Sequence, residues 1–346
     1  MQIIDNQIIL KADGQHAASS HPDKFVDSPT EHTVSRISKK AFFCFGSAAL
    51  CAIMAGFVGW TTSLQPEPPP VAAAVVAVKP HVFDDIRIEA KAAYVYDPTT
   101  GETMYERNAD AQLPLASLTK IMLALVAQKY IPKDVPIVVS AESLAQDGDS
   151  GLQLGEHWEL SKLLDLTLVV SSNDGADAIA RAAAPFLDAA GSSSDPVATT
   201  VSRMNLEAKS LGLIKTYFLN PTGLDISTSQ SGAYGSARDV AHLLSHVIAD
   251  YPGLLDATAK NGVLVASDES EHSAKNTNQA LDKIPGLIGG KTGYTDLAEG
   301  NLAVAFDLGV GHPVIAVVLG SSYEGRFSDM QTLVKTAQAY ALATAR

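Results

Sequence analysis

The feature that most constrains this chain is an uncharged run, Ala41 to Trp60. A helix of that length crosses the ~30 Å hydrocarbon core of a bilayer. Core helices of soluble domains are seldom uncharged over such a stretch. Arg36, Lys39 and Lys40 precede the run, and the next basic residue is Lys79. The positive-inside rule therefore places the N-terminus in the cytoplasm and everything after Leu64 outside. A cleaved signal peptide is the competing reading. It would have a shorter apolar core and a shorter leader, although Val71–Val78 is Ala-rich enough to host a cleavage.

The rest of the chain divides around this run. Residues 1–40 are polar, poor in aromatics and charge-balanced, which predicts a disordered cytoplasmic tail. A transmembrane signal-anchor helix is expected over 41–63. Residues 64–81 carry Pro66, Pro68, Pro69, Pro70 and Pro80 among alanines and valines, a semi-rigid polyproline stalk. Residues 82–346 remain for a folded domain. Both cysteines, Cys44 and Cys51, lie inside the apolar run. The exported part is thus free of thiols, which excludes a disulfide scaffold and cysteine-based zinc sites. Tail and stalk are neutral in sum, so the net charge of −13 falls on the folded domain. Such acidity argues against nucleic acid as a partner, since phosphate binding needs a clustered basic face.

Patterning within the domain reads as mixed α/β. Lys91–Tyr96 alternates and meets the turn Asp97-Pro98-Thr99-Thr100-Gly101, and Thr103–Glu106 returns as a second strand. Helical spacing marks Ser117–Lys129, Glu159–Val170, Pro196–Leu211, Ser236–Ile248 and Gly325–Ala343. Asn301–Phe306 and Val314–Leu319 read as buried strands. Strands at both ends of a helical middle predict an antiparallel sheet assembled from the two ends.

Three short patterns follow one another: Ser117-Leu118-Thr119-Lys120, Ser171-Ser172-Asn173 and Lys291-Thr292-Gly293. Read singly, each is weak; Ser117 also fits a helix start and Asn173 a cap or turn. Together they have chemical sense. Ser117 opens a predicted amphipathic helix, so Lys120 at i+3 lies within reach of its hydroxyl. A serine hydroxyl needs a base to take its proton. A lysine serves as that base only when burial or a nearby cation lowers its pKa, and Lys291 is a candidate for that cation. Gly293 lets a substrate approach its strand closely. Ser171 and Asn173, at the end of the Glu159–Val170 helix, supply polar groups for the opposite wall.

The ordered set S-x-x-K, S-x-N, K-T-G resembles the signature of penicillin-binding proteins and serine β-lactamases. Ala116–Met122, Val170–Asp174, Asn276–Asn278 and Gly290–Thr295 are similar to the D-alanyl-D-alanine carboxypeptidases of low molecular mass, as are Tyr96-Asp97 with Gly101, Asn108–Asp110, Phe218–Asp225 and Ser236–Asp239. The resemblance runs from about Ala90 to Tyr340. It implies a β-lactamase/penicillin-binding-protein-like α/β fold, an antiparallel sheet flanked by helices with a helical subdomain, here preceded by one transmembrane helix. It also implies a serine peptidase acting on peptidoglycan stem peptides, inhibited covalently by β-lactam antibiotics, with no cofactor and no metal. Ser117 would be the nucleophile and Lys120 the general base. Ser171 would relay a proton to the leaving D-alanine, Asn173 orient the substrate amide and Lys291 supply positive charge. Thr292, Gly293 and Tyr294 would bind substrate, the backbone N–H groups of Ser117 and Tyr294 forming an oxyanion hole. Arg326 matches a position that binds the terminal carboxylate. The enzyme would sit on the outer side of the cytoplasmic membrane. The β-rich C-terminal domain and amphipathic helix of many members have no counterpart here, which leaves anchoring to the N-terminal helix.

Departures from the family pattern are Ser172 within S-x-N, Thr222 where histidine is common, and Glu299 within Ala298-Glu299-Gly300. None removes a catalytic group. Cleavage of D-alanyl cross-links is the alternative activity. A β-lactamase reading lacks the S-D-N aspartate and an E-x-x-x-N loop, and a silent wall-binding protein would not need Ser117, Lys120 and Lys291 together. Gly148–Gly151 spells a serine-protease nucleophile motif without its His and Asp partners. His242 and His246 have zinc-compatible spacing but no third ligand.

Overall fold

The computed structural model describes residues 81–187, 194–309 and 311–344. The predicted tail, the membrane helix over 41–63 and the stalk up to Pro80 lie outside the described residues. Among the described residues no helix is long and apolar enough to cross a membrane.

Five strands form the central sheet: β1 (Ala92–Asp97), β2 (Glu102–Arg107), β3 (Leu287–Thr295), β4 (Glu299–Asp307) and β5 (Pro313–Ser321). Their order is β3-β4-β5-β1-β2, and every pairing is antiparallel. The sheet is assembled from both ends of the domain, with Ala92 opposite Leu319 and Tyr96 opposite Ile315. The β1–β2 turn is closed by Asp97, whose Oδ1 accepts the N–H groups of Thr99 and Thr100, while Gly101 takes φ +75°.

Alternation along the strands sorts side chains to two cores. Val95, Leu302, Val304, Phe306, Ala316 and Val318 face helix α6 (Gly325–Thr344), which contributes Phe327, Met330, Leu333, Val334 and Ala337. Tyr94, Ala303, Ala305, Ile315, Val317 and Leu319 face the opposite core. That core is shared with α1 (Thr119–Tyr130), α2 (Leu160–Val169), α3 (Asn173–Leu187), α4 (Pro196–Ser210) and α5 (Ala237–Asp250). Strands buried on both faces read as continuous apolar runs, which is why β4 and β5 are legible in the sequence. Helix ends follow capping chemistry. Asp195 accepts the N–H groups of Val197 and Ala198 ahead of α4, and Ser236 accepts that of Asp239 at α5.

Two local expectations are corrected. The predicted amphipathic helix from Ser117 is a 3-10 turn, Ala116–Leu118, followed by α1, and every residue from Thr119 to Ala127 is buried. Packed against α2, α3, α4 and α5, α1 is the central rod of the helical subdomain, and only its last turn, from Gln128 to Tyr130, reaches solvent. Ser171 and Asn173 do not both end α2. The chain reverses at Ser171, φ +64°, and Asn173 begins a new helix, α3.

The sheet is fastened to α6 by Asp329. Its buried carboxylate accepts the N–H groups of Glu89 and Ala90 at 2.9 and 2.8 Å and the Ser321 hydroxyl at 2.7 Å. Asp329→Ala strands these donors and is predicted to lower unfolding free energy by about 3 kcal/mol, read by urea denaturation. A loss under ~0.5 kcal/mol, the level of a neutral surface substitution, would contradict this account of the joint.

Candidate active site

The site forms where the 3-10 turn, the start of α3 and the edge strand β3 meet. Ala116 holds φ +48° immediately before Ser117, an unusual conformation for a residue with a side chain. Neighbours on every side enforce it. Thr119 Oγ1 donates to the Ala116 carbonyl at 2.7 Å. Gly223, at φ +80°, presses against the same carbonyl, and a β-carbon there would collide with it. On the other side a β-carbon on Gly293 would lie 2.9 Å from the Leu115 carbonyl and 3.2 Å from the Ser117 nitrogen. Gly293 therefore makes room for the turn that bears Ser117.

Lys120 is fully buried. Its Nζ lies 3.0 Å from Ser117 Oγ, 2.7 Å from Asn173 Oδ1 and 2.7 Å from the Thr222 carbonyl. The last two oxygens can only accept. The Asn173 orientation is fixed because its Nδ2 donates to the Asp147 carbonyl at 2.7 Å. Two N–H bonds of the amine are thereby committed, and its remaining tetrahedral position faces Ser117. Burial lowers the Lys120 pKa to about 7. The cause is desolvation; a neighbouring cation is not needed for it.

Lys291 is also buried and donates to Ser171 Oγ at 2.8 Å and to the Thr292 carbonyl at 2.9 Å. Desolvation, and then the charges of Lys120 and Arg326, hold it well below the ordinary lysine value. Two ammonium groups at once are thus disfavoured. Thr292 Oγ1 shares a 2.7 Å hydrogen bond with Thr277 Oγ1. Tyr294 lies half-exposed, edge-on to Tyr323 at 5.0 Å between ring centroids.

Arg326 sits in the first turn of α6 and is only 3% exposed. Nη1 donates to the Gly293 carbonyl at 2.8 Å, and the guanidinium lies 4.3 Å from the Tyr323 ring centroid. The helix predicted over Gly325–Ala343 thus carries Arg326 into a buried, aromatic-lined position beside β3. The structure thus brings Ser117, Lys120, Ser171, Asn173, Lys291, Thr292, Gly293, Tyr294 and Arg326 to one region.

Sequence reasoning missed the Thr222 and Asp147 carbonyls and the Thr277 hydroxyl. A carbonyl has no side-chain signature, yet the stretch Asn220–Asp225 carries a clue. Asn220 Oδ1 accepts the Gly223 N–H at 2.7 Å and the Thr222 hydroxyl at 3.1 Å, a turn that presents the Thr222 carbonyl to Lys120. The other candidate centres resolve into packing. Ser150 of Gly148–Gly151 bonds Ser172 and Asp174. His242 packs on Tyr96, and His246 pairs with Asp250. Among the described residues no group of three His, Cys, Asp or Glu could hold a metal ion.

If the Gly223 contact positions the Thr222 carbonyl, Gly223→Ala should slow acylation of Ser117 by a fluorescent penicillin about 100-fold. Stopped-flow labelling of folded variant at the wild-type rate would contradict that role.

Comparison with known proteins identifies the family. The family described as D-alanyl-D-alanine carboxypeptidase, peptidase S11, matches residues 76–323. D-alanyl-D-alanine carboxypeptidase DacB2 of Mycobacterium tuberculosis (strain ATCC 25618 / H37Rv) is 32% identical over 237 residues, covering 68% of this chain and 77% of that protein. A crystal structure of D-alanyl-D-alanine carboxypeptidase from Mycobacterium tuberculosis H37Rv superposes with a TM-score of 0.64 at 27% identity, covering 76% of this chain and 96% of that one. Penicillin-binding protein D2 from Listeria monocytogenes, in its ampicillin-bound form, superposes at 0.59 with 29% identity, covering 73% and 98%. The fold is that of the penicillin-binding proteins, and the chain belongs to the D-alanyl-D-alanine carboxypeptidase family of serine peptidases.

Proposed function

We propose that the chain is a serine-type D-Ala-D-Ala carboxypeptidase that trims peptidoglycan stem peptides through an acyl-enzyme on Ser117. The observation that carries this reading is the seat of Lys120, whose amine is buried, lowered to a pKa of about 7 and 3.0 Å from Ser117 Oγ. Near neutral pH much of it is unprotonated, with two N–H bonds held by Asn173 and Thr222 and the lone pair facing the serine. Lys120 takes the hydroxyl proton as Oγ attacks the carbonyl of the penultimate D-alanine. Collapse of the tetrahedral intermediate breaks the C–N bond. The leaving amine receives its proton from Ser171 Oγ, which Lys291 holds at 2.8 Å, and the proton that Lys120 took from Ser117 is passed on to Ser171, so both groups return to their starting state. Water then attacks the ester, giving a proton to Lys120, which returns it to Ser117 Oγ as the acyl C–O bond to the serine breaks. Thr292 and the open edge of β3 receive the substrate backbone, as an added strand would be. Arg326 supplies positive charge towards the terminal carboxylate and steadies the Gly293 carbonyl.

The N-terminal segment extends the reading to the cell. A signal-anchor helix over 41–63 holds the domain on the outer side of the cytoplasmic membrane, on the stalk of residues 64–81. Basic residues on one side only of the apolar run support this orientation.

Purified protein should release D-alanine from a pentapeptide ending in D-Ala-D-Ala, and Ser117→Ala should abolish both this release and penicillin labelling. Cleavage of cross-linked dimers with the pentapeptide left intact would replace the carboxypeptidase by the endopeptidase. The lowered pKa also fixes a pH dependence. Protonated Lys120 cannot accept a proton, so the second-order rate of penicillin acylation should fall about tenfold per unit below pH 7 and level off above it. A flat profile from pH 5 to 8 would contradict Lys120 as the base.

A further inference from the structure

A threonine outside the three motifs governs the hydroxyl that Thr292 offers to a ligand. Among the described residues, the one hydrogen-bond partner of Thr292 Oγ1 is Thr277 Oγ1, at 2.7 Å. Each hydroxyl carries one proton, so only one of the two donates in that bond. When Thr292 donates, it presents lone pairs to the site, and these repel a carboxylate. When Thr277 donates, the Thr292 proton is left to point outward. We propose that Thr277 is a positioning residue for the terminal carboxylate of D-Ala-D-Ala: on binding, its hydroxyl donates to Thr292 Oγ1 and turns the Thr292 proton to that carboxylate. This rests on the carboxypeptidase reading above.

Thr277 is held where it can do this. Its N–H donates to the Val169 carbonyl at 3.2 Å, at the end of α2. The last carbonyls of a helix lack partners within it, and the reversal at Ser171 leaves this one to Thr277. Beside it, Asn276 Nδ2 donates to the carbonyls of Thr258 and Lys260, both at 2.8 Å, and Asn276 Oδ1 accepts the Asn278 N–H at 2.8 Å. The Thr277 hydroxyl also lies 3.4 Å from the Val169 carbonyl, which can only accept. With no anion present, the chain of bonds has a resting direction, from Thr292 to Thr277 to Val169. A carboxylate, which also only accepts, reverses it through the shorter 2.7 Å bond. Both hydroxyl protons rotate while every heavy atom stays in place. Strand geometry puts Thr292 where the carboxylate is expected. The edge of β3 is closed at Gly290, whose N–H is taken by Thr258 Oγ1 at 2.9 Å, and Thr292 is the next residue to face that edge. Its register partner Leu302 packs in the core shared with α6, the helix that carries Arg326. Lys291 and Gly293 face the other way, towards Ser171 and Ser117. Thr292 and Arg326 thus attend the same side of β3.

The test compares full-length wild type, Thr277→Val and Thr277→Ser on three reagents that acylate Ser117. They are a pentapeptide ending in D-Ala-D-Ala, a fluorescent penicillin, and the p-nitrophenyl ester of N-acetyl-D-alanine. The first two carry a carboxylate beyond the reacting carbonyl, and the ester carries none. Valine keeps the shape of threonine and removes the hydroxyl. Thr277→Val should lower kcat/KM on the pentapeptide and the rate of penicillin acylation about tenfold, the scale of one hydrogen bond to a charged group. Its rate with the ester should stay within about twofold of wild type. Thr277→Ser, which keeps the hydroxyl, should recover most of the loss. An equal loss on all three reagents would make Thr277 a merely structural link, and no loss on any would remove it from the site; either result overturns the proposal. Wild type that is labelled by penicillin but releases no D-alanine overturns the carboxypeptidase reading, and the penicillin-to-ester ratio then still decides the role of Thr277. Wild type inert to all three overturns both.

Discussion

The burial of one lysine amine among three oxygens is the constraint on which the rest of this site depends. An ammonium in water has no reason to give up its proton at neutral pH. Taken into a dry interior it does, because desolvation penalises the charged form. Lys120 is enclosed because α1 is the central helix of its subdomain, surrounded by four others. The helix that supplies the base is thus also the one that forms the middle of the core. Asn173 and Thr222 then spend two of the amine's bonds and leave the third direction to Ser117. Chemistry and packing are therefore inseparable here. A substitution that hydrates α1 would restore the ordinary lysine.

Backbone closeness is the second requirement. Ser117 lies between a sheet edge and a loop, and each approaches through a glycine, Gly293 on β3 and Gly223 in the Asn220–Asp225 turn. The strained Ala116 is held by these contacts and by Thr119. Strain of this kind persists only where surrounding structure over-determines it, and it commonly marks a working site. The two cores on either side of the sheet give the rigidity needed, and Asp329 ties helix α6 of the outer one to the end of β5 and the chain entering β1.

Much of this was legible in the sequence. Strands buried on both faces announced themselves as apolar runs, and Ser236 marked the start of α5. The i+3 spacing of Ser117 and Lys120 led directly to the observed 3.0 Å contact. Resemblance of the ordered motifs gave the family. Three kinds of fact were not legible. The helix from Asn173 hides in an Ala- and Asp-rich segment, and only the positive φ of Ser171 separates it from α2. Carbonyl partners such as those of Thr222 and Asp147 carry no side-chain signal. The burial of Arg326 was not legible because a lone arginine in sequence gives no hint of the aromatic rings around it. In each case long-range packing, absent from local pattern, decided the outcome.

The central claim is that Lys120 works as a neutral amine because it is buried. It is tested most directly by an NMR titration of ¹³C-labelled lysine Cε in the folded protein, with Lys120→Met to assign the signal. The account predicts a Lys120 signal that titrates near pH 7. A Lys120 that remains protonated to pH 10 would contradict it.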